Sequence, residues 1–344
     1  MTSHPSEDIL WVGFQGQTAK EVSDHFQPGA VILFSRNLNP DPQKGPVQCF
    51  EMLQGLKGRW GQKDSLPIAI DQEGGAVSRL RPWVGETPSF KNIFQTGGVE
   101  ACYLWGSLWG EGCALLGINI NFAPVADRWD GHTNTGMGDR CVSSNPQEVV
   151  VAVDAYLRGM EKHRVQGCLK HFPGLGGTLI DSHQGLPSLE DSETLALNAL
   201  PFQELSTAHR LIMVAHLKTP ASDPLPLSMH PLGARKNQYG VEGIFIPDDL
   251  EMGGCQKWPW QERVRLCLMA GHDWMLVCQT DEGVHQCAAA LKTLDEDLWS
   301  PARQRGWTYR KTLPNLGGEK FDTQAWSDWT QRVQSAAKDF MRVR

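Results

Sequence analysis

Residues 170–183 read KHFPGLGGTLIDSH. A Lys-His pair closes an apolar run, a Gly-rich loop follows, and Asp181-Ser182-His183 ends the stretch. An imidazole titrates near neutral pH, and a carboxylate two residues away can orient it and steady its protonated form. Asp181 and His183 therefore have the makings of a general acid and base. A second pair, Asp248-Asp249, emerges from an apolar run in GIFIPDDLEMGG. A carboxylate there serves as a nucleophile, as a metal ligand, or as the cap of the next turn, and Asp249 before Leu250-Glu251-Met252 suits a cap. His171, His183 and His216 end or follow different runs and could converge on zinc. HExxH, HxH and Cys/His ligand spacings are all missing, so no metal is expected. No GxSxG elbow supports a serine nucleophile. Gly174–Gly177 is not followed by a helix opening, so it reads as a mobile loop rather than a phosphate cradle.

Short apolar runs occur near Ile9–Phe14, Ala30–Ser35, Leu66–Asp71, Ile118–Val125, Cys168–Pro173, Leu211–Leu217, Gly243–Asp248 and Trp274–Cys278. Their length and Ile/Val/Leu content suit buried parallel strands. Segments with helical spacing lie between them: Phe50–Trp60, Val99–Leu116, Pro146–His163, Glu193–His209, Gln261–Ala270 and Glu282–Leu294. Asn145-Pro146, Ser192-Glu193 and Asp281-Glu282 read as helix starts. The first crossover, about Thr18–Phe26, is short. Eight strands alternating with helices predict a (β/α)8 TIM barrel, a single domain over residues 1–344. The helical, Trp-rich stretch of about 299–344 is expected to wrap the exterior. An open doubly wound sheet is disfavoured because no GxGxxG follows the first strand. In a barrel, catalytic groups sit at the C-terminal strand ends. The runs end in Ser35-Arg36-Asn37, Asp71-Gln72-Glu73, Asp127-Arg128, Lys170-His171, His216 and Asp248-Asp249, with Asp139-Arg140 further along one loop. Each alone could be a solvated loop residue or a cap; their recurrence at one face is what that reading leaves unexplained.

The chain has 344 residues, 40% of them hydrophobic and 21% charged, ample for a large core. A net charge of −7 gives a nucleic-acid partner no electrostatic support. No run approaches the roughly 20 apolar residues of a membrane span, and the N-terminus lacks the basic and apolar regions of a signal peptide. The expectation is a cytoplasmic protein. Its nine cysteines are scattered and free of CxxC pairs, which suits buried thiols better than disulfides.

LPIAIDQEGGAVSRLRP, INFAPVADR, GDRCVSSNP, KHFPGLGG, DSH and IPDDLEM occur in the order found in glycoside hydrolase family 3. The chain resembles its single-domain bacterial β-N-acetylglucosaminidases of the NagZ type, which act in peptidoglycan recycling. The resemblance covers roughly Val31 to Gln279. It implies a retaining mechanism with Asp248 as nucleophile, His183 as general acid/base and Asp181 as its partner. It implies Asp71, Arg140, Lys170 and His171 at the hydroxyls of GlcNAc, with Arg79 and His216 completing the sugar-binding set. It implies a monomer with a small aminosugar or muropeptide as substrate, and no organic cofactor. A phosphorylase, with phosphate replacing water in the second half-reaction, and a silent sugar-binding barrel are the alternatives. Departures are Leu175 where the family has His, Pro247 where it has Ser, and LEM for LSM; they bear on loop dynamics, fine specificity and rate.

Overall fold

Side chains alternate across each short strand, and both faces are buried, one into the barrel and one under the helices. In the computed structural model, which describes residues 4–23, 27–60, 65–129, 131, 137–180 and 185–341, all eight apolar runs form strands. They are β1 (Leu10–Val12), β2 (Ala30–Leu33) and β3 (Ile68–Ile70), then, beyond a separate antiparallel hairpin of β4 (Gln72–Gly74) and β5 (Val77–Ser78), β6 (Ile120–Asn121), β7 (Gln166–Phe172), β8 (Leu211–Val214), β9 (Ile244–Pro247) and β10 (Met275–Val277). The sheet order is β10-β1-β2-β3-β6-β7-β8-β9, with parallel pairing throughout. Ala30, Ile32, Ala69, Leu211, Met213, Ile244, Ile246 and Leu276 fill the interior. Their neighbours Val31, Leu33, Ile68, Ile70, Ile212, Val214, Phe245, Met275 and Val277 face the helices. This period-2 division between two cores is the packing of a (β/α)8 barrel.

The sheet order leaves a seam between β9 and β10, and among the described residues it is closed by separate contacts. At the N-terminal side Asp273 N–H donates to Phe245 O and Phe245 N–H to Asp273 Oδ2, both at 2.8 Å. Asp273 is wholly buried and is neutralised by Arg235 and Arg305. At the C-terminal side Leu250 N–H donates to Leu276 O at 3.0 Å and Cys278 N–H to Asp249 Oδ1 at 3.1 Å.

The helices are α1 (Gly45–Trp60), α2 (Arg81–Val84), α3 (Phe90–Leu116, kinked at Gly98), α4 (Pro146–Glu161), α5 (Ser192–Leu205), α6 (Trp260–Ala270), α7 (Asp281–Lys292), α8 (Glu296–Thr312) and α9 (Thr323–Met341). Asn145 caps α4 through Gln147 N–H, as read from the sequence. Two other starts fall one residue earlier than read. Asp191 caps α5, accepting from Thr194 N–H, and Thr280 caps α7 through Gly283 N–H. In both places two polar residues adjoin, and the sequence does not say which holds the extended backbone of a cap.

The C-terminal stretch departs from the expectation that it only wraps the exterior. Tyr309 and Leu313, from α8 and just beyond it, belong to the interior cluster with Trp11 and Trp274. They pack towards the N-terminal ends of the strands, in the cluster that holds Trp274 just ahead of β10. Helix α9 does lie outside. Trp329 donates through Nε1 to Leu108 O at 2.7 Å, and its ring sits so close to α3 that a Cβ on Gly112 would come within 2.2 Å of it. All nine cysteines are buried and unbridged. Among the described residues no helix is long and apolar enough to cross a membrane.

Candidate active site

A cleft of about 140 Å³ opens at the C-terminal strand ends, lined by Asp71, Glu73, Arg79, Arg140, Lys170, His171, Asp248 and Asp249 together with Phe34, Phe122 and Met213. Its floor is a charge network. Lys170, projecting from β7, reaches Asp71 Oδ1 at 3.0 Å and Glu73 Oε1 at 2.5 Å. Arg140 grips Glu73 with two prongs, Nε to Oε2 at 2.9 Å and NH2 to Oε1 at 3.0 Å. Arg79 stands 3.5 Å from Asp71 Oδ2 and stacks over Phe34.

Glu73 is the hub, and the sequence reading gave it no role. It rides on the β4–β5 hairpin, which turns back under Pro88. Gly74 and Gly75 have φ of 100° and 54°, and a Cβ on Gly74 would meet Pro88 O at 2.6 Å. The DQEGG string carried this signal, a carboxylate pair spaced by one residue ahead of a glycine turn. Burial alone would raise the Glu73 carboxyl, but Arg140 and Lys170 outweigh it and hold it well below the ordinary carboxylate range. Burial would likewise lower Lys170, and Asp71 and Glu73 instead hold it above its ordinary value.

His171 is fixed from behind. The wholly buried Asp127 accepts from His171 Nδ1–H at 2.8 Å and from its backbone N–H at 3.0 Å. With the Nδ1 proton committed to a carboxylate, Nε2 remains for the cleft. The other Asp127 oxygen accepts from Leu175 N–H at 2.7 Å. Leu175 is buried in an apolar cluster with Val125, Leu189, Leu195 and Leu217, which gives a physical account of the residue that replaces the family His. Asn198 Nδ2–H donates to Gly176 O at 2.7 Å. The stretch read as a mobile loop is thus buried and tied down through Gly176, and Thr178 is buried too. Asp127→Asn would turn a donor against a donor in this buried site. It is expected to lower unfolding free energy by about 1–3 kcal/mol in urea and to raise KM as His171 loses its orientation.

Asp248 follows β9 directly. Its N–H donates to Val214 O at 2.9 Å, and its Oδ1 accepts from Asp249 N–H at 2.8 Å. Pro247 ends β9 with no N–H to give, yet β9 still pairs with β8 as far as Pro247. Asp249 does accept from Glu251 N–H at 3.1 Å, as a turn cap would, but it is equally a seam residue. Asp71, Arg79, Arg140, Lys170, His171 and Asp248 are therefore brought together. His216 is not among the residues lining the cleft. It is wholly buried, its Nε2–H donating to Asp249 O at 2.9 Å and its Nδ1 accepting from Ser228 Oγ–H at 2.7 Å. Those bonds leave it poorly placed for a three-His zinc site with His171. Asp181 and His183 lie outside the described residues.

Carboxylates at the strand ends of a barrel, around a cleft that is polar on one side and aromatic on the other, suit a glycoside-cleaving site. The glycosyl hydrolase family 3 N-terminal domain matches residues 8–302. The chain belongs to glycosyl hydrolase family 3. A β-hexosaminidase of Thioalkalivibrio sulfidiphilus is 31% identical over 324 residues, 90% of each chain. The family 3 β-N-acetylglucosaminidase structure from Paenibacillus sp. FPU-7 is 26% identical with a TM-score of 0.83, covering 98% of this chain and 69% of that one. The structure of NagZ from Neisseria gonorrhoeae in complex with N-trifluoroacetyl-D-glucosamine is 25% identical with a TM-score of 0.77, covering 98% and 99%. Within family 3 the chain groups with β-hexosaminidases, and it is a glycoside hydrolase.

Proposed function

We propose that this family 3 hydrolase is a retaining exo-β-N-acetylglucosaminidase whose natural substrate is GlcNAc linked to 1,6-anhydro-N-acetylmuramic acid, with or without its peptide. The observation that carries the reading is the convergence of Asp71, Arg79, Arg140, Lys170 and His171 on the cleft that Asp248 faces. The ion-paired side would take the sugar hydroxyls, because charged donors and acceptors held rigidly by one another form strong, directed hydrogen bonds. Asp248 would attack the anomeric carbon as the glycosidic bond breaks, giving a glycosyl-aspartate. His183 would protonate the departing oxygen, then take a proton from the water that cleaves the ester. Two displacements return the original anomeric configuration. An imidazole needs little tuning for both roles, since its ordinary pKa of about 6.5 lies close to neutrality. Asp181 would orient the ring and stabilise its cation, as carboxylates do in other Asp-His pairs.

His183→Ala is expected to hurt poor leaving groups far more than activated ones. On the disaccharide, whose sugar alcohol needs a proton to depart, kcat/KM should fall at least about 100-fold further than on an aryl glycoside. Equal losses on the two substrates would remove His183 from the acid role. Release of free GlcNAc from the anhydro-disaccharide, followed by chromatography, tests the substrate. Formation of GlcNAc-1-phosphate instead, when inorganic phosphate is added, would replace the hydrolase reading with a phosphorylase.

A further inference from the structure

The neighbour of Asp248 sits at the seam between β9 and β10, where among the described residues no ladder closes the barrel. Asp249 is 5% exposed, and a carboxyl that deep is costly unless donors surround it. Three donors do. Cys278 N–H and Glu251 N–H reach Oδ1, both at 3.1 Å, and Gln279 Nε2–H reaches Oδ2 at 2.8 Å. Burial still pushes its pKa up to about 6, so the site does not select strongly for charge. Its backbone is held as firmly. The carbonyl accepts from His216 Nε2–H at 2.9 Å, the N–H donates to Asp248 Oδ1 at 2.8 Å, and the next N–H, of Leu250, donates to Leu276 O at 3.0 Å.

We infer that Asp249 is a positioning residue for the reaction: bound to the end of β10 through Cys278 and Gln279 and to the end of β8 through His216, it sets where the Asp248 carboxylate stands. The inference rests on Asp248 being the nucleophile. Asp248 follows β9, which has a ladder to β8 on one side and none to β10 on the other, so towards β10 side-chain bonds must supply the precision that a neighbouring strand supplies elsewhere. Displacements of about 1 Å at a reacting group can cost about 100-fold in rate. His216, expected at the sugar, acts here through Asp249 instead.

The test compares Asp249→Ala and Asp249→Asn on an aryl N-acetyl-β-glucosaminide. For Asp249→Ala, kcat is expected to fall by about 100-fold while KM stays within about threefold, because the sugar-binding groups are untouched. Asp249→Asn keeps an oxygen for Cys278 and Glu251, and Gln279 can turn its amide to accept from the new NH2, so kcat should return to within about fivefold of the parent. An unchanged kcat in Asp249→Ala, a KM rise that accounts for the loss, or an Asn variant as slow as the Ala variant would each overturn the inference. If circular dichroism shows that Asp249→Ala does not fold, Gln279→Ala carries the test with an expected kcat loss of about tenfold at unchanged KM, and an unchanged kcat overturns it. Each protein is also trapped with a 2-acetamido fluoro-sugar and the labelled peptide mapped. A label on Asp248 formed at the parent rate in Asp249→Ala sinks the positioning role alone. A label on another residue sinks the nucleophile reading instead.

Discussion

Asp248→Ala is expected to lower kcat on an aryl N-acetyl-β-glucosaminide by at least about 10⁴-fold, because the variant cannot form the proposed glycosyl-aspartate and, among the described residues lining the cleft, the other carboxylates are already engaged. Asp71 and Glu73 are bound to Lys170, Arg79 and Arg140, and Asp249 is bound into the seam. Removing the carboxylate also opens a small space on the nucleophilic side of the sugar. Added azide should enter it, attack the anomeric carbon as the aryl oxide leaves, and restore turnover with a product of inverted configuration. Azide rescue of His183→Ala should instead give a product of retained configuration, since Asp248 still makes the first bond. The two products are told apart by proton NMR of the anomeric signal. Near-normal hydrolysis by Asp248→Ala would end the proposed mechanism.

Glu73→Ala should be the most destabilising single change at the cleft. Glu73 accepts from Arg140 twice and from Lys170 once, and Lys170 is only 2% exposed. Removing Glu73 leaves two buried cations short of one negative charge, with Asp71 still beside Lys170, which costs about 3–5 kcal/mol at neutral pH in urea unfolding. A loss of less than about 1 kcal/mol would mean the network behaves like a surface ion pair. The pH dependence follows from the sign of the shift. The folded-state pKa of Glu73 lies below its ordinary 4.5. Its contribution is therefore fully present above about pH 4.5 and is lost as acid drives the pH down toward the folded-state value. Glu73→Gln should flatten that acid limb relative to the parent. An acid limb unchanged in Glu73→Gln would show that other carboxylates carry it.

The strands were readable because each is a short Ile/Val/Leu run that must be buried on both faces, and that demand is written locally. Lys170, His171 and Asp248 were readable for the same reason, as polar residues ending apolar runs, whereas the roles of Arg79 and Arg140 came only with the family resemblance. What could not be read is whatever depends on where two distant ends meet. Asp127 supports His171 across 44 positions, and Asp249 meets Cys278 across 29; neither spacing leaves a periodic trace. His216 has the residue type of a ligand, and only its burial between Ser228 and Asp249 shows that it works on the backbone. Leu175 was opaque because its partners Val125, Leu189 and Leu217 come from three different segments. The C-terminal stretch read correctly as helical, but nothing in its pattern distinguishes Tyr309, which faces the barrel interior, from Trp329, which faces α3.

Tyr309 and Leu313 come from beyond residue 302, where the family model's match ends, yet they pack in the same interior cluster as Trp11 and Trp274. The C-terminal stretch is therefore no appendage that could be trimmed where the matched region stops. A chain cut there would bare part of the indoles of Trp11 and Trp274 to water and trade a sealed core for an exposed apolar patch.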